Sequence, residues 1–116
     1  MESNLSLVES GSFSVAVAPS GRFAYVANED FINVSGYTIN PSTGALTAIA
    51  GSPFAAGFAP FSVAVDPSGR FAYVANVNSG NVSGYTIDPT TGALTAIMGS
   101  PFPAGAGPVS VAITSD

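Results

Sequence analysis

Apolar and small or polar residues alternate along short stretches of the chain. Val15 and Val17 stand between Ser14, Ala16 and Ala18, and Val63 and Val65 stand between Ser62, Ala64 and Asp66. A period of two places the valines on one face of an extended segment, the pattern of a half-buried strand. Residues 62–98 contain four such segments: Ser62–Val65, Arg70–Ala75 (rich in Phe, Tyr and Val), Asn81–Ile87 and Ala93–Met98. Turn signals separate them. Asp66-Pro67-Ser68-Gly69 places Pro where φ near −65° suits a turn and Gly where a positive φ is needed. Asn76–Gly80 reads as a loop and Asp88–Gly92 as a second tight turn, and Pro101 stops the fourth strand. Pro and Gly interrupt every window in which a helical period could build up, so no helix is predicted.

The pattern is duplicated. Residues 14–61 and 62–109 are identical at 36 of 48 positions, and a third copy begins at Ser110-Val-Ala-Ile113. A unit of this length with four antiparallel strands has the size of one β-propeller blade. An eight-stranded sandwich is the alternative. Its two sheets have different neighbours, whereas propeller blades share one environment and accept near-identical sequences. The expected organisation is all-β: a partial strand within residues 1–12, a four-stranded antiparallel blade over 13–60, a second over 61–108, and the first strand of an incomplete blade over 109–116. Leu5–Val8 resembles the start of a fourth strand, and Val109–Thr114 a first strand.

The motif Pro67-Ser-Gly-Arg-Phe-Ala-Tyr-Val-Ala-Asn76, followed by Val82-Ser-Gly-Tyr-Thr-Ile-Asp-Pro-Thr-Thr-Gly-Ala-Leu-Thr95, resembles the YVTN and lactonase-type β-propeller repeat. Tyr73-Val74-Ala75-Asn76 stands where that family has Tyr-Val-Thr-Asn. The resemblance spans residues 14–113. It implies a ring that usually has seven blades, in a family that includes 6-phosphogluconolactonase-like enzymes and surface-layer proteins; fold alone does not choose among these.

Two blades leave two sheet faces open. Val63, Val65, Phe71, Tyr73, Val82, Tyr85, Ile87, Leu94 and Ile97 make the faces of one blade apolar. At ordinary strand spacings each face covers roughly 300 Å², comparable with the largest apolar patch on a typical monomer. The contact that would cover them is head-to-tail, and such contacts form a closed ring only when the rotations sum to a full turn. A homo-oligomer is therefore expected, three chains giving six blades or four giving eight. Exchange of the terminal strands between neighbours, and a fragment of a longer natural or engineered propeller, are the other options.

Composition narrows the chemistry. Among 116 residues there are two Lys plus Arg, seven Asp plus Glu, and no Cys, His or Trp, for a net charge of −5. Two bases, Arg22 and Arg70, are too few to neutralise several phosphates, so nucleic acid is not an expected partner. The missing His and Cys remove the commonest general base, the thiolate nucleophile and the thiolate zinc site. No cofactor or metal is expected. No apolar run approaches the length of a transmembrane helix, so no membrane partner is expected either. Residues 1–12 lack the basic start and apolar core of a signal peptide, which points by default to the cytoplasm, or to a mature or excised piece of a secreted protein.

The twelve differences between the repeats are unevenly placed. Four fall in the loop after the second strand (Glu29/Val77, Asp30/Asn78, Phe31/Ser79, Ile32/Gly80), and five at the end of the fourth strand or in the link beyond it. These connections leave an antiparallel blade on the same side. If that rim binds a small molecule or glycan, Asn28, Glu29, Asp30, Asn76 and Asn78 would line it; drift of solvated loops is the simpler account. Adjacent Glu29 and Asp30 are expected to point apart. The serines have no His or Lys to activate them. Arg22 and Arg70 sit in tight turns on the opposite rim, where stacking or solvation of the turn is the expected role. A self-assembling scaffold or binding module without catalysis is the expected function, with a lactonase-like hydrolase active only as an assembled oligomer as the alternative.

Overall fold

The computed structural model describes residues 12–105. Ten strands form two sheets: β1 (Ser12–Val17), β2 (Phe23–Asn28), β3 (Asn33–Ile39), β4 (Leu46–Ala48) and β5 (Phe54–Ala55), then β6 (Pro60–Val65), β7 (Phe71–Asn76), β8 (Asn81–Ile87), β9 (Leu94–Ala96) and β10 (Phe102–Pro103). The first sheet runs β1-β2-β3-β4 and the second β6-β7-β8-β9, all antiparallel, with β5 and β10 added to β3 and β8. The described residues contain no helix. The expected partial strands at Leu5–Val8 and Val109–Thr114 lie outside the described residues.

Each strand predicted within the described residues is present, with one correction. The outer edge of each sheet is built from two pieces. After β9 the chain turns through Gly99 and returns to the same edge of β8, where Phe102 and Pro103 pair with Val82 and Asn81. Pro101 therefore divides the edge strand rather than ending it. The Ser100 hydroxyl fills the gap by accepting the Gly84 N–H at 2.9 Å, and Ser52 does the same for Gly36. The Phe54 and Phe102 rings lie against those glycines. A Cβ on Gly36 would stand 3.0 Å from Phe54 Cε2, and one on Gly84 3.1 Å from Phe102 Cε2. A glycine inside a strand here marks close approach of a ring to the backbone.

The turns follow the sequence signals. Asp66 Oδ1 accepts the N–H groups of Arg70 and Phe71 at 3.1 and 3.0 Å, and Oδ2 accepts the Ser68 hydroxyl at 2.7 Å. Asp88 Oδ1 accepts the N–H groups of Thr90 and Thr91, as Asn40 Oδ1 accepts those of Ser42 and Thr43. The Asn40/Asp88 difference thus leaves this turn unchanged.

The core lies between the sheets, and its asymmetry distinguishes blades from a sandwich. In a two-sheet sandwich with related halves, equivalent residues face each other. Here they do not. Phe23, Tyr25, Val34 and Ile49, on what we term the leading face of the first sheet, are buried against Val63, Tyr85, Ile87 and Leu94 on the trailing face of the second. Residues one repeat away stay open. Val63 is 6% exposed and Val15 63%; Leu94 is 7% exposed and Leu46 42%. The two repeats therefore stack head to tail, as successive propeller blades do.

Polar ties fix the stack. The Tyr25 hydroxyl donates to the Gly92 carbonyl at 2.6 Å, and that of Tyr85 to the Ala55 carbonyl at 2.5 Å. Arg22 Nη1 and Nη2 donate to the Pro89 and Thr90 carbonyls at 3.2 and 3.3 Å, while its guanidinium lies 5.0 Å from the Phe23 ring centroid. Arg22 thus clamps one blade to the next, a role beyond the stacking or solvation expected of it. Gly92 makes the approach possible: a Cβ there would lie 2.5 Å from Phe23 Cδ1, and its φ is +81°.

Burial pushes the Tyr25 phenol up to about 12, so it remains a donor at neutral pH. Tyr25→Phe leaves the buried Gly92 carbonyl unsatisfied and should lower the unfolding free energy by about 1–2 kcal/mol, measured by urea denaturation. A second outcome concerns acid. Desolvation acts upward on the Asp66 carboxyl, but hydrogen bonds from Ser68, Phe71 and Arg70 outweigh it and hold the group below its ordinary value; the Thr91 and Thr90 N–H groups hold Asp88 down in the same direction. The unfolded chain therefore takes up these protons first. Their contribution to stability is complete above the ordinary carboxylate range, about pH 4, and is lost as pH falls through the depressed folded values. Asp66→Asn should make the acid limb of the unfolding profile shallower, read as melting temperature against pH.

Candidate functional site

The rim singled out by the repeat differences is a contiguous surface. The link after β5 crosses to the β7–β8 loop, where Val77 and Asn78 N–H groups donate to the Ala59 and Phe58 carbonyls at 2.9 and 3.2 Å, and the Phe58 N–H donates to the Ser79 hydroxyl at 2.8 Å. Ala59 holds a positive φ of 55° in this link. The opposite rim gathers the turns around Pro19, Ser68 and Pro89, which line one shallow depression with Arg22.

The five candidate residues separate into two kinds. Asn76, at the end of β7, is fully buried. Its Oδ1 accepts the Gly57 N–H at 3.1 Å, and its Nδ2 donates to Asn81 Oδ1 and Ser83 Oγ, both at 2.9 Å. It fastens the inter-blade link to the second sheet. Asn28 ends β2 in the same way and is buried, its Nδ2 donating to Asn33 Oδ1 at 2.7 Å and Ser35 Oγ at 2.9 Å. These amides occupy the base of the rim. Glu29 is half-buried, and Asp30 and Asn78 are exposed at its surface.

The Glu29 and Asp30 carboxyls act on each other. Partial desolvation, together with the Asp30 carboxyl acting as hydrogen-bonding and like-charged neighbour, pushes the Glu29 carboxyl above its ordinary value. In the turn that follows β2 the Phe31 N–H donates to the Asn28 main-chain carbonyl at 3.1 Å. Val77 and Asn78 stand in their places in the second blade, so the pair occurs in one blade alone.

Beside the acids lies a depression of about 210 Å³ lined by Asn28, Phe31, Asn33, Ser35 and Pro53. It is smaller than the usual range for small-molecule sites. Phe31, Ile32 and Phe58 are exposed on this rim. Among the described residues no group of three or more His, Cys, Asp and Glu could hold a metal ion. The described residues offer here one carboxyl pair, with the Glu29 carboxyl raised, close in sequence to the exposed Phe31 and Ile32. The pairing role of Asn28 and Asn76 escaped the sequence reading. Its signal was the Asn that closes the second strand in both repeats, five residues before another Asn and seven before a Ser.

Replacing Asn76 by Ala strips the Gly57 N–H of its acceptor and removes the donor to Asn81 Oδ1 and Ser83 Oγ. It should cost about 2 kcal/mol or more in chemical denaturation, whereas Asn78→Ala, at an exposed loop position, should stay within about 0.5 kcal/mol.

Comparison with known proteins places this geometry in a family. Among solved structures, a Bacteroides fragilis protein assigned as a 6-phosphogluconolactonase superposes with a TM-score of 0.78 at 22% identity, over 85% of this chain and 27% of that one. A Lactobacillus plantarum protein gives 0.76 at 24% identity, over 85% and 28%. The periplasmic gluconolactonase of Pseudomonas aeruginosa gives 0.74 at 25% identity, over 83% and 26%. The chain thus spans about a quarter of the length of these structures. Curated proteins yield no match. The family profile described as lactonase, 7-bladed beta-propeller matches residues 8–113, and the chain belongs to that lactonase-type β-propeller family.

Proposed function

We propose that the chain is a β-propeller module that joins further blades into a ring and serves as a scaffold or binding element without catalysis. The burial asymmetry between equivalent positions carries this reading. Val15, Val17 and Leu46 are exposed on one outer face, while the same positions in the second blade are covered by a neighbour. A face with that make-up is completed by another blade. The seven-bladed family, and the quarter-length span of the chain on its structural neighbours, support a source for those blades in a longer propeller; a second source is further copies of the chain. The rim supports a binding role through its exposed Phe31, Ile32 and Phe58 around Glu29 and Asp30, suited to a small molecule or glycan with an apolar face.

One observation favours a second reading, lactone hydrolysis in the assembled ring. Lactone opening needs an activated water and a donor to the developing oxyanion. The raised Glu29 carboxyl beside Asp30 is the one described group moved toward the range of a general base, and a ring would repeat the pair around its mouth. The test is turnover of simple γ- and δ-lactones by the protein, beside Glu29→Gln and Asp30→Asn. The expected result is no hydrolysis above buffer in any of the three. Turnover by the unsubstituted protein that disappears in either variant would establish the hydrolase and remove the non-catalytic reading.

A further inference from the structure

We propose that the depression around Arg22, on the rim opposite Glu29 and Asp30, binds a small organic carboxylate with an apolar body. This site goes beyond the scaffold or binding reading above and does not depend on it.

The depression has a volume of about 470 Å³, within the range usual for small-molecule sites. The Ser20–Phe23 turn forms one wall, Thr38, Ile39 and Pro41 another, and Thr90 of the second blade closes it. It therefore lies at the internal joint, with both sides built from described residues. Arg22 is the one charged residue in its lining. Phe23, Ile39 and Pro41 supply carbon for an apolar body to lie against.

The guanidinium has capacity to spare. Its Nη1 and Nη2 donate to the Pro89 and Thr90 carbonyls at 3.2 and 3.3 Å. A guanidinium carries five N–H donors in a planar fork. The Nε–H and the second hydrogen on each Nη have no acceptor among the described residues. An Nε–H and the adjacent Nη–H form a side-on pair that matches the two oxygens of a carboxylate. One guanidinium also balances one negative charge, which favours a carboxylate over a phosphate monoester carrying nearly two.

The repeat supplies the contrast. Arg70 stands in the equivalent place and lies over Phe71 as Arg22 lies over Phe23. Its Nε, however, donates to Ser68 Oγ at 3.2 Å, and its blade carries Asp66 at the start of its own turn and Asp88 in the turn beside it. In the first blade those two positions are Ala18 and Asn40. Of the three differences between the repeats on this rim, two thus remove a carboxylate from the blade that holds Arg22. The acid of the accepting turn, Asp88, has its Oδ1 engaged by the Thr90 and Thr91 N–H groups. Arg22 is left as a cation without a carboxylate partner among the described residues, beside an apolar-walled space of ligand size.

Asn40 supplies the sharpest test, because it precedes Pro41 in the wall and its Oδ1 accepts the Ser42 and Thr43 N–H groups as Asp88 Oδ1 accepts those of Thr90 and Thr91. Asn40→Asp therefore adds a charge and keeps the turn. Benzoate is titrated into the labelled protein at low ionic strength and followed by the Arg22 Nε–H resonance and the Thr38 and Thr90 amides, with benzyl alcohol as the neutral probe. The expected result is a saturable shift with benzoate and none with benzyl alcohol. Arg22→Gln should weaken binding at least about tenfold, and Asn40→Asp about twofold to fivefold with no loss of melting temperature. Arg70→Gln should leave the affinity unchanged. Shifts at Arg22 that fail to saturate, equal response to benzyl alcohol, or unchanged affinity in folded Asn40→Asp would each overturn the site. Lactone turnover at the other rim is read separately, so its presence or absence does not bear on this result.

Discussion

Everything in this molecule depends on the packing of one sheet's leading face against the next sheet's trailing face. Neither face is self-sufficient. Tyr25, Phe23 and Val34 find their burial only beneath Val63, Tyr85 and Leu94, and a lone four-stranded sheet of such short strands has no interior of its own. The polar ties are placed at the borders of this apolar contact: Arg22 and Tyr25 at one rim, Asn76 and the Gly57 N–H at the other. The apolar middle provides the driving force, and the borders set the register. A slip of the sheets would leave the Gly92 carbonyl and the Asn76 amide buried without partners, which is costly.

The same division explains how the rims differ. The rim of Arg22 and the Pro89 turn is committed to joining blades, so its turns are alike in both repeats apart from Ala18/Asp66, Asn40/Asp88 and Ser42/Thr90. At the other rim, Asn28 and Asn76 do the fastening from beneath the surface. The loop above them is released from structural duty, and there Glu29, Asp30, Phe31 and Ile32 give way to Val77, Asn78, Ser79 and Gly80 without disturbing the sheet.

The strands, their turns and the blade architecture were legible in the sequence because period-two alternation, Pro-Ser-Gly turns and an internal repeat are local signals. The side of the blade on which each connection emerges was legible too, since antiparallel order alone decides it. What escaped was non-local. The return of Phe102 to the edge of β8 depends on a ring settling over Gly84, and nothing in a linear pattern shows that contact. The candidate site divided for the same reason: Asn76 looks like a loop-end polar residue in sequence, and only the arrival of Gly57 from the preceding link converts it into a buried fastener. Glu29 and Asp30 were read as strand-end neighbours, whereas β2 ends at Asn28 and both acids lie in the turn beyond it.

Four of the hydrogen bonds across the joint, those donated by Arg22, Tyr25 and Tyr85, end on main-chain oxygens: those of Pro89, Thr90, Gly92 and Ala55. Main-chain oxygens are the same in every residue. Recognition between blades is therefore blind to most substitutions in the accepting turn, provided that its glycine and its path survive. A gene encoding such units can gain or lose a copy by unequal recombination, and the new neighbour fits at once, without a compensating change. The 36 shared positions in 48 fit a duplication of that kind.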